Sequence, residues 1–175
     1  MHKPLIGVSC LLLAMLSANV QAHAGHDHGH APTADRHHAS PSHPDPATVS
    51  APEGISVKDC WIRALPSRLP AAAYFHIQNM GEKEKVLTGA QAEGFGRVML
   101  HTHQDQGGMA RMVHVENVKL APGSSLEFAP RGHHVMLEQA NFDLEVGTER
   151  TLTLWFAGPQ ALSVQCKVLP PGTLQ

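Results

Sequence analysis

After Ala22 the chain has no apolar run long enough to cross a bilayer, so no spanning helix is expected in the mature protein. It also lacks a basic stripe, and its net charge is -2 at pH 7 with His neutral. Neither nucleic acid nor an anionic membrane surface is therefore an expected partner. No segment has the apolar spacing of a long amphipathic helix, and no stretch repeats. Catalytic motifs are missing too. There is no His-Glu-x-x-His segment for a catalytic zinc and no Ser or Cys motif with an associated base, so the expectation is a protein that is not an enzyme.

The N-terminus sets the compartment. Lys3 gives a short positive region, Leu5 to Leu16 an apolar one, and Val20-Gln21-Ala22 a small-residue cleavage site, so residues 1–22 read as a secretory signal peptide. The apolar stretch is shorter than the ~20 residues of a spanning helix, which argues against stable membrane insertion. Cys10 stands at the front of the apolar region rather than after it, so lipidation at that residue is the weaker reading.

The remainder divides by composition. Residues 23–53 carry His23, His26, His28, His30, His37, His38 and His43 among Ala, Pro, Ser, Asp and Gly, with no large apolar residue before Val49. Such a segment has too little to bury and is expected to be a disordered, His-rich tail. Its imidazoles suit Cu(II), Zn(II) or Ni(II) without fixed geometry, and cleavage after Ala22 adds the amine of His23. Cu(II) is the expected cargo, held near the folded domain by the tether. Residues 54–171 hold nearly all the Val, Leu, Ile, Phe and Trp, enough for one domain.

Within that domain the apolar pattern alternates. Val57 to Ile62, Ala73 to Ile77, Val98 to His101, Leu126 to Phe128, Leu152 to Phe156 and Leu162 to Val168 are short runs of strand formers. Asn79-Met80-Gly81, Gly107-Gly108, Pro122-Gly123, Pro130-Arg131-Gly132 and Gly158-Pro159 punctuate them, which favours an all-β sandwich or barrel. Residues 117–120 and 125–128, joined by Ala121-Pro122-Gly123, read as a β-hairpin.

Metal-binding chemistry concentrates between residues 99 and 136, where Met99, His101, His103, Met109, Met112, His114, His133, His134 and Met136 lie. A single strand Met is ordinarily core packing, and a single His is ordinarily a satisfied residue. The cluster shifts that balance. Thioether sulfur is a soft, neutral ligand suited to Cu(I), and imidazole binds either copper oxidation state, so a mixed set selects copper over zinc, calcium or magnesium. A blue-copper site needs a Cys thiolate, and none lies nearby. His134 and Met136, two apart, leave the same face of a strand.

Ten residues separate His101 from Met112, twenty-one separate Met112 from His134, and one separates His134 from Met136. This spacing resembles the His-x10-Met-x21-His-x-Met motif of the PCuAC family of periplasmic copper chaperones. The flanks Leu100-His101-Thr102-His103, Gly108 to Met112, Leu120 to Gly123, Gly132 to Leu137 and Ala71 to Tyr74 are similar to the family's local patterns. The resemblance spans about residues 55–170. It implies a cupredoxin-like Greek-key β-barrel with one solvent-accessible Cu(I) site formed by His101, Met112, His134 and Met136. It also implies transfer of copper toward the copper-A subunit of cytochrome oxidase, beside a Sco-type thiol protein. A His-rich tail ahead of the domain departs from the family's commoner arrangement, in which such segments follow it.

Other residues in the window read less sharply. His103 shares the strand face of His101 and is either an alternate ligand or a partner that orients the first imidazole. Met109 and Met99 either line the site or pack beneath it, His133 is expected to point outward, and His76 stands apart. Cys60 and Cys166, on the first and last expected strands, are expected to bridge in an oxidising compartment. The alternative function is copper sequestration or resistance, which predicts more than one tightly held ion and little transfer.

Overall fold

The computed structural model describes residues 43 to 173, so residues 1–22, expected to be a signal peptide, and His23, His26, His28, His30, His37 and His38 lie outside the described residues. The described residues open with a 3-10 turn, Pro46–Thr48. Ten strands follow. The first five are β1 (Ile55–Arg63), β2 (Ala71–Asn79), β3 (Lys85–Ala92), β4 (Phe95–Gln106) and β5 (Met109–His114). The last five are β6 (Val118–Leu120), β7 (Ser125–Phe128), β8 (His134–Ala140), β9 (Glu149–Phe156) and β10 (Gln160–Leu169). No α-helix occurs among the described residues, in keeping with the all-β expectation, and none of their helices is long and apolar enough to cross a membrane.

Hydrogen bonding runs in the order β5-β4-β8-β2-β1-β10-β9-β3-β6, with β7 attached to β2. Every pairing is antiparallel except β1 with β10. The sheet folds over on itself and buries one face of each half. Ile62, Phe75, Ile77, Leu87, Leu100, Val135, Leu137, Leu152, Leu154 and Phe156 make the core, each removed from water by the alternation of its strand. Phe75 and Phe128 stack at 4.3 Å inside it.

An irregularity in β1 sets one side of the outer face. Lys58 pairs with His76 but Trp61 pairs with Tyr74, so Asp59 and Cys60 together oppose the single residue Phe75, and Asp59 takes a φ of 54°. This bulge carries Cys60 to within 4.4 Å, Cα to Cα, of Cys166 on β10, and the two are joined in a disulfide. The expected bridge is present, tying together two strands whose adjacency the sequence does not reveal.

The structure differs from the sequence reading, or adds to it, in three places. First, residues 117–128 do not form a hairpin. The turn exists, with Ser124 N–H donating to Ala121 O at 3.1 Å, but β6 pairs with β3 and β7 pairs with β2. The segment arches from one half of the sheet to the other because Val118 and Leu120 are buried against one and Phe128 against the other. Second, β3 and β5 are strands that local pattern did not show. The sequence Thr88-Gly89-Ala90-Gln91-Ala92 has weak strand preference and is held by pairing with β9. Third, residues 43–53, assigned by composition to the tail, pack on the domain. The Ala161 N–H donates to Ser50 O at 3.1 Å, Pro52 is buried, and the His43 ring lies on Trp155.

Candidate functional site

The outer face of strands β1, β2, β8, β4 and β5 carries the site. Residues opposite one another across an antiparallel pair project to the same side, so the register alone builds the array. His101 stands opposite His134 on β8 and opposite His114 on β5. Two residues along each strand, Met99 stands opposite Met136, and Met136 in turn opposite Ala72 on β2. In the other direction along β4, His103 stands opposite Met112. Every side chain of the sequence motif thus reaches one face from three adjacent strands.

A row of rings crosses this face. Trp61 and Tyr74 are 4.5 Å apart between centroids, Tyr74 and His134 6.4 Å, His134 and His101 5.8 Å, and His101 and His114 5.8 Å. The His103 ring lies 5.3 Å from that of His134. Arg63 covers the near end, with its guanidinium carbon 5.3 Å from the Tyr74 centroid and 5.8 Å from that of Trp61. Beyond Met99 and Met136, Arg97 Nε donates to Glu138 Oε2 at 2.6 Å.

His134 is the best-defined ligand candidate. It is buried, and its Nδ1 sits 3.1 Å from the carbonyl oxygen of Gly132. That contact is satisfied when Nδ1 carries the proton, which leaves the lone pair on Nε2. Nε2 faces Met112 Sδ at 3.2 Å. Neither atom then donates to the other, and two lone pairs converge on one point. A cation bonded at about 2.0 Å to nitrogen and 2.3 Å to sulfur with tetrahedral geometry holds them roughly 3.5 Å apart, so the observed spacing fits two ligands of a single ion.

Electrostatics keep the imidazoles in the ligand form. The pKa of His101 falls to about 4, first because of burial and then because of His134 and His114, with Arg97 adding to the effect and Glu138 opposing it. That of His134 is lowered chiefly by burial, against the Gly132 hydrogen bond, which works to raise it. Neutral imidazole is what binds a metal. Among the described residues no three His, Cys, Asp or Glu side chains are placed to hold a metal ion, so a site here needs the methionine sulfurs. This donor set selects a soft ion.

Met136 is buried while Met112 is 48 % exposed on the edge strand β5. The interior of the array is therefore fixed by packing, and the outermost ligand candidate is open to solvent.

Several expectations are revised by register. Met109 lies three residues from Met112 and so projects to the opposite face of β5, 61 % exposed, and does not line the array. His43 is not part of a loose tail, since its ring is stacked on Trp155 far along the sheet order from β4 and β8. His133 is half-buried beside Phe128, at 5.6 Å between rings, rather than pointing freely outward. His76 stands between Asp59 and Glu127, at 3.6 and 3.5 Å, outside the array. Met99, His103 and His114 do share the face. Trp61, Tyr74 and Arg63 at its edge escaped the reading of the sequence. The alternation around Tyr74 was visible, but the bulge that brings Trp61 beside it was not.

A family model described as "Putative lipoprotein LpqE-like" matches residues 55–168. A protein of Leifsonia xyli subsp. xyli named "Putative lipoprotein Lxx21020" is 28% identical over 117 residues, covering 64% of this chain and 70% of that one. Among solved structures, the Cu(I) form of DR1885 from Deinococcus radiodurans superposes with a TM-score of 0.56 at 27% identity, over 71% of this chain and 83% of its own. The apo PCuAC domain of PmoF1 gives 0.57 at 26% identity, over 67% and 95% respectively. The fold is thus the cupredoxin-like sandwich of PCuAC domains.

Proposed function

This chain belongs to the LpqE-like family, and from that premise we propose that it is an exported copper carrier holding one Cu(I) ion with His101, Met112, His134 and Met136. The observation that carries the reading is the meeting of His134 Nε2 and Met112 Sδ at 3.2 Å, with Nδ1 of the same ring held by the Gly132 carbonyl. The likeness to a Cu(I)-bound domain at 27% identity supports it. Imidazole and thioether are both neutral donors, so the bound ion keeps its single positive charge and is not trapped by carboxylate or thiolate. Met112, half-exposed on an edge strand, is the ligand that an incoming donor from a partner displaces first. Ligand-by-ligand replacement of this kind releases the ion without freeing it into water.

X-ray absorption at the copper edge tests the site. The mature chain loaded with one equivalent of Cu(I) under reducing conditions is expected to show sulfur and nitrogen scatterers. Met112→Ala and Met136→Ala are each expected to lose sulfur. An all-nitrogen shell in the unsubstituted protein rejects the assignment.

Delivery to the copper-A subunit of cytochrome oxidase in the periplasm, beside a Sco-type protein, rests on the motif's resemblance, whereas the role of the His-rich tail in gathering Cu(II) rests on its composition. Mixing the Cu(I)-loaded chain with the copper-free subunit is expected to move the ion. Retention of several tightly held copper ions with no transfer favours sequestration instead.

A further inference from the structure

We propose that the site has two ligand sets selected by oxidation state, with Met112 completing the Cu(I) form and His103 taking its place when the ion is Cu(II). The inference rests on the carrier reading above and deepens it.

Three features of the array support it. His103 stands directly opposite Met112 in the β4–β5 register, so both side chains leave the same face at the same level. Its ring lies 5.3 Å from that of His134, tilted by 35°, and His134 is the residue whose Nε2 meets Met112 Sδ. Its Nδ1 is buried and has no hydrogen-bond partner. A buried polar atom without a partner is costly, and a bond to an ion removes that cost.

The chemistry of copper supplies the selection. Cu(I) accepts thioether sulfur readily, whereas Cu(II) favours nitrogen donors in tetragonal arrangement. The histidines do not converge as they stand, so the second set forms by rotation of the His103 side chain toward the ion. Met112, 48 % exposed, has solvent to move into. In this step Cu(I) gives one electron to an outer-sphere one-electron acceptor. The bond from copper to Met112 Sδ breaks and one to the lone pair of neutral His103 forms, with no net proton transfer. The reverse step needs one electron from a reductant. The arrangement lets one site take up either form of the ion and keep it through reduction.

The test measures the midpoint potential of bound copper, with ferricyanide as oxidant and ascorbate as reductant. It uses the full mature chain with His23, His26, His28, His30, His37 and His38 replaced by Asn, so that the N-terminal segment does not compete for Cu(II). This parent must first bind one Cu(I) with mixed sulfur and nitrogen scattering, and its failure to do so sinks the carrier reading along with the proposal. Given that, His103→Ala is expected to keep Cu(I) affinity within about threefold and to lose Cu(II) affinity at least tenfold. For a one-electron couple, a tenfold loss of Cu(II) affinity alone is a rise in potential of about 59 mV, and a threefold loss of Cu(I) affinity beside it leaves a rise of about 30 mV. Met112→Ala is expected to move the potential the other way, and nitrogen hyperfine structure in the Cu(II) spectrum is expected to change only in His103→Ala. A His103→Ala potential that stays or falls, or equal losses of both ions, overturns the switch while leaving the Cu(I) site intact.

Discussion

His43 lies flat on Trp155, with ring centroids 4.5 Å apart and planes 7° from parallel. Gly89, opposite Trp155 on β3, makes room for it, since a Cβ there would stand 3.3 Å from His43 Nε2. The contact anchors the N-terminal segment to the β3–β9 part of the sheet. His43→Ala is expected to lower stability by about 1 kcal/mol, the worth of a stacked ring pair, and to shift tryptophan emission to the red. Its Cu(II) stoichiometry is expected to equal that of the unsubstituted chain, because this ring is engaged in packing. A fall of one equivalent would mean that this ring binds Cu(II).

Asn79 is fully buried at the end of β2, and both polar atoms of its amide are hydrogen-bonded. Nδ2 donates to Lys83 O at 2.8 Å and to Leu120 O at 2.9 Å, and Oδ1 accepts from Gly81 N at 3.0 Å. Asn79→Ala leaves two carbonyls and one N–H without that partner, for an expected loss of roughly 2 to 4 kcal/mol in urea unfolding. Cu(I) stoichiometry at low denaturant is expected to be unchanged, since Asn79 lies on the other side of β2 from Ala72 and Tyr74.

The pH dependence follows from His101. Its pKa in the folded protein is about 4, below the ordinary 6.5, so between these values the unfolded chain binds more protons than the folded one. Stability therefore declines as pH falls through that window and levels off above it. His101→Gln is expected to flatten this part of the curve in unfolding measured from pH 4 to pH 7. The imidazole signal of His101, followed by NMR in the metal-free protein, is expected to titrate near the bottom of the range. A midpoint close to 6.5 would contradict the burial argument.

The Cys60–Cys166 bond closes a loop of sequence separation 106. The chain-entropy argument gives it about 4 to 5 kcal/mol. Cys60→Ser with Cys166→Ser is expected to lower the midpoint of chemical unfolding by that order and to leave the sulfur and nitrogen scattering of the Cu(I) complex as it was. A lost sulfur shell would mean that the bridge positions the site as well as the fold.

The sequence by itself determined the chemistry and the class of the fold. Soft and borderline donors crowded between Met99 and Met136, and period-two alternation at positions such as Ala73 to Ile77 and Leu152 to Phe156 gave strands. The pair His134 and Met136 was legible because a strand's alternation is local. What faces what was decided by tertiary structure. That His101 opposes His134 and His103 opposes Met112 depends on the register of β4 with β8 and β5. Register is set by which residues of distant strands share a core, and a slip of one residue would turn the array inward. The same reason explains the misreadings. Residues 117–128 have the local pattern of a hairpin, but Leu120 and Phe128 gain more by burial against β3 and β2 than their strands gain from each other. His43 sits in a segment of tail-like composition and is ordered only because Gly89 and Trp155, far along the chain, form a surface that fits its ring.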